Sequence, residues 1–215
     1  MRKGVNNSLS DRFVFISNIF VISFLSFLCI YDTRFKMETS SLSAAFWNHM
    51  QFLYGIGFFG EIIQLLMVSS LLSGERSLLI VFILGFILNA SINGVLKKWF
   101  HQKRPSNPIK FLYSEQFSKK SYGMPSGHSQ SVFYSIAFLF LARPADGWLL
   151  LSLLIGIITV YERWHFHNHT VQQLLAGVLF GSCIGALVFY GYKRFFNNKS
   201  ETKDTNSLKP SRTSV

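Results

Sequence analysis

Long apolar runs alternate with short polar stretches along most of the chain, and the runs are long enough to decide its class. A helix needs about 20 residues to cross the hydrocarbon core of a bilayer. Six segments approach that length: Phe13 to Tyr31, Met50 to Leu72, Ser77 to Leu96, His128 to Ala142, Gly147 to Tyr161 and Thr170 to Tyr192. The first is charge-free and ends against Asp32 and Arg34, the third ends at Lys97 and Lys98, and the fourth is short enough that its first turn is expected at the interface. Six spans put both termini on one side and gather three polar connections on the other: Asp32 to His49, Lys97 to Gly127, and Glu162 to His169. The pattern therefore predicts an all-α, six-span transmembrane bundle over residues 1–196. Residues 197–215, rich in Ser, Thr, Asn and Lys, read as a disordered tail.

Composition agrees with a membrane class. Of 215 residues, 49% are hydrophobic and 14% charged, against about 25% charged in soluble domains. The net charge of +11 arises from 21 basic and 10 acidic residues lying between and outside the apolar runs. No basic patch interleaved with stacking aromatics stands on a polar background, so nucleic acid is not the expected partner. Anionic headgroups and phosphorylated lipids fit the charge better. Cys29 and Cys183 both sit in apolar runs, which excludes a disulfide framework and favours two small buried hydrophobes. Arg2, Lys3 and Arg12 precede the first run without a small-residue cleavage pattern, so that run reads as an uncleaved span. Basic residues are similar in number on the two sides. If those in the polar connections are kept for chemistry, the remaining ones place the termini in the cytosol and the connections in a lumen.

Glu61, inside the second apolar segment, is the odd residue. An ionisable side chain in a membrane costs several kcal/mol unless it is paired or faces the bundle interior. Its expected setting is a bundle-interior hydrogen bond with Gln64 or Asn89, with a direct catalytic role as the rival.

Three clusters share the polar face. The first runs from Lys97 to Pro105; Lys97 alone reads as a snorkelling helix end, but Arg104 stands before Pro105, which biases it towards an extended segment. An Arg fork matches phosphate oxygens and a Lys supplies a point charge. The second runs from Ser121 to Gln130. Ser126 offers a hydroxyl and a helix cap, Gly127 lets a ligand approach the backbone, and N–H groups at a helix start attract anions. The third runs from Arg163 to Gln173, where His169 and Gln173 lie four apart on one helix face, setting the amide beside one imidazole nitrogen. A rival reading makes His165, His167 and His169 zinc ligands, but their spacing matches no standard helical zinc motif and Glu162 is the one carboxylate nearby. Fixed cations, a helix start and two histidines on one face make a coherent phosphoryl-transfer site that requires no metal and no cofactor, with one histidine as nucleophile and the other as acid or base.

The combination resembles the type 2 phosphatidic acid phosphatase (PAP2) superfamily. Its signature is Lys, six residues, Arg-Pro; then Pro-Ser-Gly-His; then Arg, five residues, His, three residues, Asp. Here it is matched by Lys97 with Arg104-Pro105, by Pro125-Ser126-Gly127-His128, and by Arg163 with His169. The resemblance implies a helical bundle of the acid phosphatase–vanadium haloperoxidase type. It also implies phosphate binding by Lys97, Arg104, Arg163, Ser126 and the Gly127 backbone, a phosphohistidine formed on His169, and His128 as the acid that protonates the leaving group. Two positions depart from the pattern: Glu162 stands where many members have Ser, and Gln173 where the nucleophile's Asp partner belongs. An amide fixes a tautomer but lends no charge to an imidazolium. The His-Thr-x-x-Gln stretch is similar to the dolichyl-diphosphate phosphatase branch and to some plant-type lipid phosphatases. The resemblance thus implies hydrolysis of dolichyl diphosphate at the luminal side of the endoplasmic reticulum membrane, returning carrier lipid to protein N-glycosylation. The alternatives are a broader lipid phosphate phosphatase, acting on phosphatidate, sphingoid phosphate or other polyprenyl diphosphates, and a non-catalytic lipid-binding membrane protein. Sequons at Asn6, Asn168 and Asn198 are expected to stay unmodified.

Overall fold

Six helices carry the described residues, which are 41–109, 122–144 and 147–207 of a computed structural model. They are α1 (Ser41–Phe58), α2 (Gly60–Leu71), α3 (Arg76–Phe100), α4 (Gly127–Ala142), α5 (Trp148–His165) and α6 (Val171–Ser207), with no strand among the described residues. In α3 the buried positions Leu78, Phe82, Gly85, Asn89 and Asn93 recur every three or four residues, the spacing of a single helix stripe. Ile80, Leu84, Ile87, Leu88 and Val95 face outward from the same helix. The helix closes on His101 in the left-handed region (φ 49), with Lys97 and Lys98 in its last turn, where cations suit the negative end of the helix dipole.

α4 is the enclosed element. Ser129, Gln130, Ser131, Val132, Tyr134, Ser135, Ile136, Phe138 and Leu139 are all buried, and a helix buried all round belongs to the centre of a bundle. α6 runs parallel to it at backbone distance. A Cβ at Gly177, Gly181 or Gly185 would run into the backbone of Ser126, Gln130 or Tyr134 respectively. Small residues every fourth position allow such close approach. Below the site, Val68, Leu72, Leu78, Phe82, Tyr134, Phe138, Leu139 and Ile184 form the main apolar core, and the Tyr134 hydroxyl donates to the Phe82 carbonyl at 2.8 Å.

The six-span expectation is corrected by these elements. α3 and the Val171–Phe196 part of α6 are long and apolar enough to cross a membrane, and Met50–Phe58 with α2 adds a third only if that pair, bent by 68°, is taken as one span. α4 has 16 residues, or about 24 Å of rise against a hydrocarbon core of about 30 Å. Its apolar run serves packing inside the bundle. α5 has 18 residues, but its closing turn holds Glu162, Arg163 and His165. The second apolar segment breaks at Phe59, between Gly57 and Gly60. A Cβ at Gly57 would lie 2.6 Å from Glu162 Cβ, and one at Gly60 would strike the Thr159 hydroxyl, so these glycines let the bend close on α5. The first expected span, Phe13 to Tyr31, lies outside the described residues.

Candidate active site

Four helix ends meet at one level of the bundle. α3 and α5 arrive with their C-termini and bring Lys97 and Arg163; α4 and α6 begin there and bring His128 and, just ahead of the first turn, His169. Buried amides fix α4 against α3. Asn93 Nδ2 donates to Gln130 Oε1 (2.8 Å) and to the Pro125 carbonyl (3.3 Å), while Gln130 Nε2 donates to the Asn89 carbonyl and Oδ1, both at 3.0 Å. The start of α4 is thereby held beneath the end of α3. The direction in which a Gly127 Cβ would point leads to Asn93 Oδ1 at 3.3 Å and Lys97 Nζ at 3.7 Å.

Extended segments between the helices are stitched by main-chain bonds. Gly123 N–H donates to the Gln102 carbonyl (2.7 Å), Ser126 N–H to the Gln173 carbonyl (3.0 Å) and Ile109 N–H to the Phe166 carbonyl (2.9 Å). Ser126 precedes α4 without a side-chain cap, contrary to its expected capping role. Its buried hydroxyl instead accepts from Ser129 Oγ at 3.2 Å, which leaves its own proton to donate.

Gln173 ties the three sequence clusters together. Thr170 and Gln173 form a capping box: Gln173 N–H donates to Thr170 Oγ1, and Thr170 N–H donates back to Gln173 Oε1, both at 3.3 Å. Gln173 Nε2 donates to the Lys103 carbonyl (2.9 Å) and Gln102 Oε1 (3.1 Å). A carbonyl can only accept and a backbone N–H can only donate, so the amide has one orientation. Its Oε1 then faces His169 Nδ1 at 3.1 Å, and that nitrogen must carry the proton. His169 is therefore the Nδ1–H tautomer, and the lone pair lies on its Nε2. Gly123 is required here, since a Cβ would lie 2.5 to 2.7 Å from the Gln173 amide atoms.

The electrostatics are dominated by cations. Burial, and then Arg104, push His169 down to about 3, with the Gln173 hydrogen bond opposing and Lys97 and Arg163 adding to the depression. Burial followed by Arg163, His169, Lys97 and Arg104 holds His128 well below the usual histidine range. Arg163 is buried, with Nε 2.6 Å from Glu162 Oε2 and its guanidinium carbon 4.9 Å from the Phe58 ring centre. Burial raises Glu162 to about 7 against the pull of Arg163. All the expected site residues, Lys97, Arg104, Ser126, Gly127, His128, Arg163, His169 and Gln173, lie within the described residues, and His128 and His169 each feel the charges of Lys97, Arg104 and Arg163.

The rival histidine trio separates. His165 bonds the Tyr54 hydroxyl through Nε2 (3.1 Å) and stacks on Tyr54 and Tyr161, with ring centres 5.0 and 5.7 Å away. Glu61 also departs from expectation. Gln64 is engaged with Ser152 by two bonds of 2.7 Å, and Asn89 with Gln130. The Glu61 carboxylate instead stands 3.7 Å from His128 Nε2. Sequence reasoning missed Gln102, Gly123 and the capping box. The Thr-x-x-Gln pattern was a legible signal for the box; nothing local marked Gln102.

Comparisons with known proteins extend this geometry. Residues 78–197 match the model of the PAP2 superfamily. The chain is 32% identical over 119 residues to dolichyldiphosphatase 1 of Dictyostelium discoideum, covering 50% of this chain and 49% of that protein. It is 29% identical over 122 residues to lipid phosphate phosphatase gamma of Arabidopsis thaliana, covering 52% of each. To the dolichyldiphosphatase of Saccharomyces cerevisiae it is 25% identical over 117 residues, 49% of this chain and 48% of the other. The match thus spans about half the length of these curated relatives.

Proposed function

The chain belongs to the PAP2 superfamily, and from that premise we propose that it is a metal-independent phosphohydrolase for phosphate or diphosphate carried on a lipid. The observation that carries the reading is the Nε2 lone pair of His169 under the influence of Arg104, Lys97 and Arg163. In the proposed reaction, Lys97, Arg104, Arg163, the Ser126 hydroxyl and the Gly127 backbone hold the phosphate oxygens. Buried Arg163 Nη2 has no hydrogen-bond partner among the described residues, as suits a donor kept for a ligand. His169 Nε2 attacks phosphorus while the bond to the leaving oxygen breaks, and His128 gives that oxygen its proton. Water then attacks the phosphohistidine, passing a proton to His128 as the N–P bond breaks and phosphate leaves. Fixed cations stabilise the charge on the transferring phosphoryl group.

Every group named here addresses phosphate and none addresses a lipid tail, which is why the broad reading leads. A narrower reading takes dolichyl diphosphate as the substrate, at the luminal leaflet of the endoplasmic reticulum, returning dolichyl phosphate to N-glycosylation. It rests on Gln173 in the His-Thr-x-x-Gln stretch and on the names of two relatives.

Phosphate release by the purified chain, with chelator present, from phosphatidate, a sphingoid phosphate, polyprenyl diphosphates and dolichyl diphosphate tests both. Release from several of these is expected. Binding without release would favour a non-catalytic lipid binder, and a clear preference for dolichyl diphosphate would select the narrower reading. Protease mapping in sealed vesicles tests the placement of the termini in the cytosol.

A further inference from the structure

His128 has to enter the reaction as an imidazolium, because a neutral imidazole has no proton to spare for a leaving oxygen. Its surroundings oppose that state. Burial is the largest obstacle, and Arg163 from α5, His169 from the turn before α6, Lys97 from the end of α3 and Arg104 from the segment after it add to it. α1 places the uncharged Phe58 ring 6.3 Å away centre to centre. α2 supplies the opposite sign: Glu61 Oε1 lies 3.7 Å from His128 Nε2. We infer that Glu61 is the counter-charge of the acid–base histidine, a positioning residue that keeps His128 protonated until it gives its proton to the leaving oxygen. The inference rests on the reading of His128 as the proton donor.

Three observations carry it. The carboxylate sits near the start of α2 because the helical pair breaks at Phe59 with a 68° bend, which turns Glu61 towards the site. Its expected partners do not bond it: Gln64 is engaged with Ser152, and Asn89 accepts from Gln130 through Oδ1 while its buried Nδ2 has no partner among the described residues, Glu61 included, so hydrogen bonds to these two amides do not account for the carboxylate. The distance also suits the task. At 3.7 Å the carboxylate acts through charge and is beyond a hydrogen bond; the Nε2 proton stays available to the leaving oxygen, and no proton passes to Glu61. Burial pushes the Glu61 carboxyl up, and Arg163 and Lys97 oppose that rise. The departure at Gln173 then gains a logic. The nucleophile, which must stay neutral to attack, has a neutral amide for a partner, while the acid has the charged one.

The test is the pH profile of kcat/KM for the full-length purified chain in detergent, using phosphatidate and a polyprenyl diphosphate. Removing the negative charge disfavours the imidazolium, so the alkaline limb of E61Q should move to lower pH by about one unit or more, the usual effect of an opposite charge within 4 to 6 Å. At neutral pH, turnover should fall about tenfold, the same shift expressed as a rate. E61D, which retains the charge, should keep the limb near its wild-type position. E61S is a second neutral variant should E61Q fail to fold. A limb that does not move in a folded neutral variant overturns the inference, even if the rate or melting temperature falls, because that is what a packing role produces. A wild-type chain that releases phosphate from neither lipid overturns the underlying phosphatase reading instead.

Discussion

His169 and His128 face the same cations, yet the turn before α6 and the start of α4 hold them by different means. His169 is buried and locked through Nδ1 by an amide whose other contacts, to Thr170, Gln102 and Lys103, leave it no second orientation. The His128 side chain remains 28% exposed and looks across at a carboxylate with which it makes no hydrogen bond. One ring is fixed by geometry and the other is biased by charge. A nucleophile needs a defined lone pair at a defined place, whereas an acid that gives and regains a proton needs a poised equilibrium. The two settings match those two needs.

Substitutions can break the contrast in order of severity. H169A should abolish turnover, with a loss of roughly 1000-fold or more and no acid-labile phosphoenzyme detectable with a radiolabelled substrate. H128A should cost about 100- to 10,000-fold and still form phosphoenzyme slowly; a variant with no phosphoenzyme at all would place His128 in binding. Q173A should slow phosphoenzyme formation roughly 10- to 100-fold, by analogy with lost orienting contacts to metal-bound histidines, while leaving KM nearly unchanged. Q173E sharpens the point. Its added charge would face the Lys103 carbonyl and Gln102 Oε1 in place of an N–H donor, so it should lower the melting temperature more than Q173A does. Smallest of all, S129A removes one bond to the Ser126 hydroxyl and should change kcat/KM by less than about tenfold.

The residues of the candidate site were easier to read from the sequence than the frame that carries them. Lys97, Arg104, His128, Arg163 and His169 were legible because the PAP2 signature sets those residue types in a fixed order along the chain. The facing of His169 and Gln173 followed from a four-residue step on a helix. Span counting failed because apolar content alone does not distinguish a helix facing lipid from one enclosed by other helices. α4 is apolar for the second reason, and its buried Ser129, Gln130, Ser131 and Ser135 are the residues that show it. The bend at Phe59 has no proline to announce it, and the turning of Glu61 towards His128 depends on that bend. Gln102 is a similar case, since its partner lies 71 positions away.

The seam of Gly177, Gly181 and Gly185 joins α4 and α6 backbone to backbone, and each of these two helices leads directly from one of the two histidines of the proposed reaction. Side chains can repack to absorb a shift, but two abutting main chains cannot. The separation between the imidazoles is thus gauged by a joint lying up to four helical turns away, like the jaws of a caliper whose screw sits in the handle. A methyl group added at Gly181 would be felt first in the alignment of nitrogen, phosphorus and leaving oxygen.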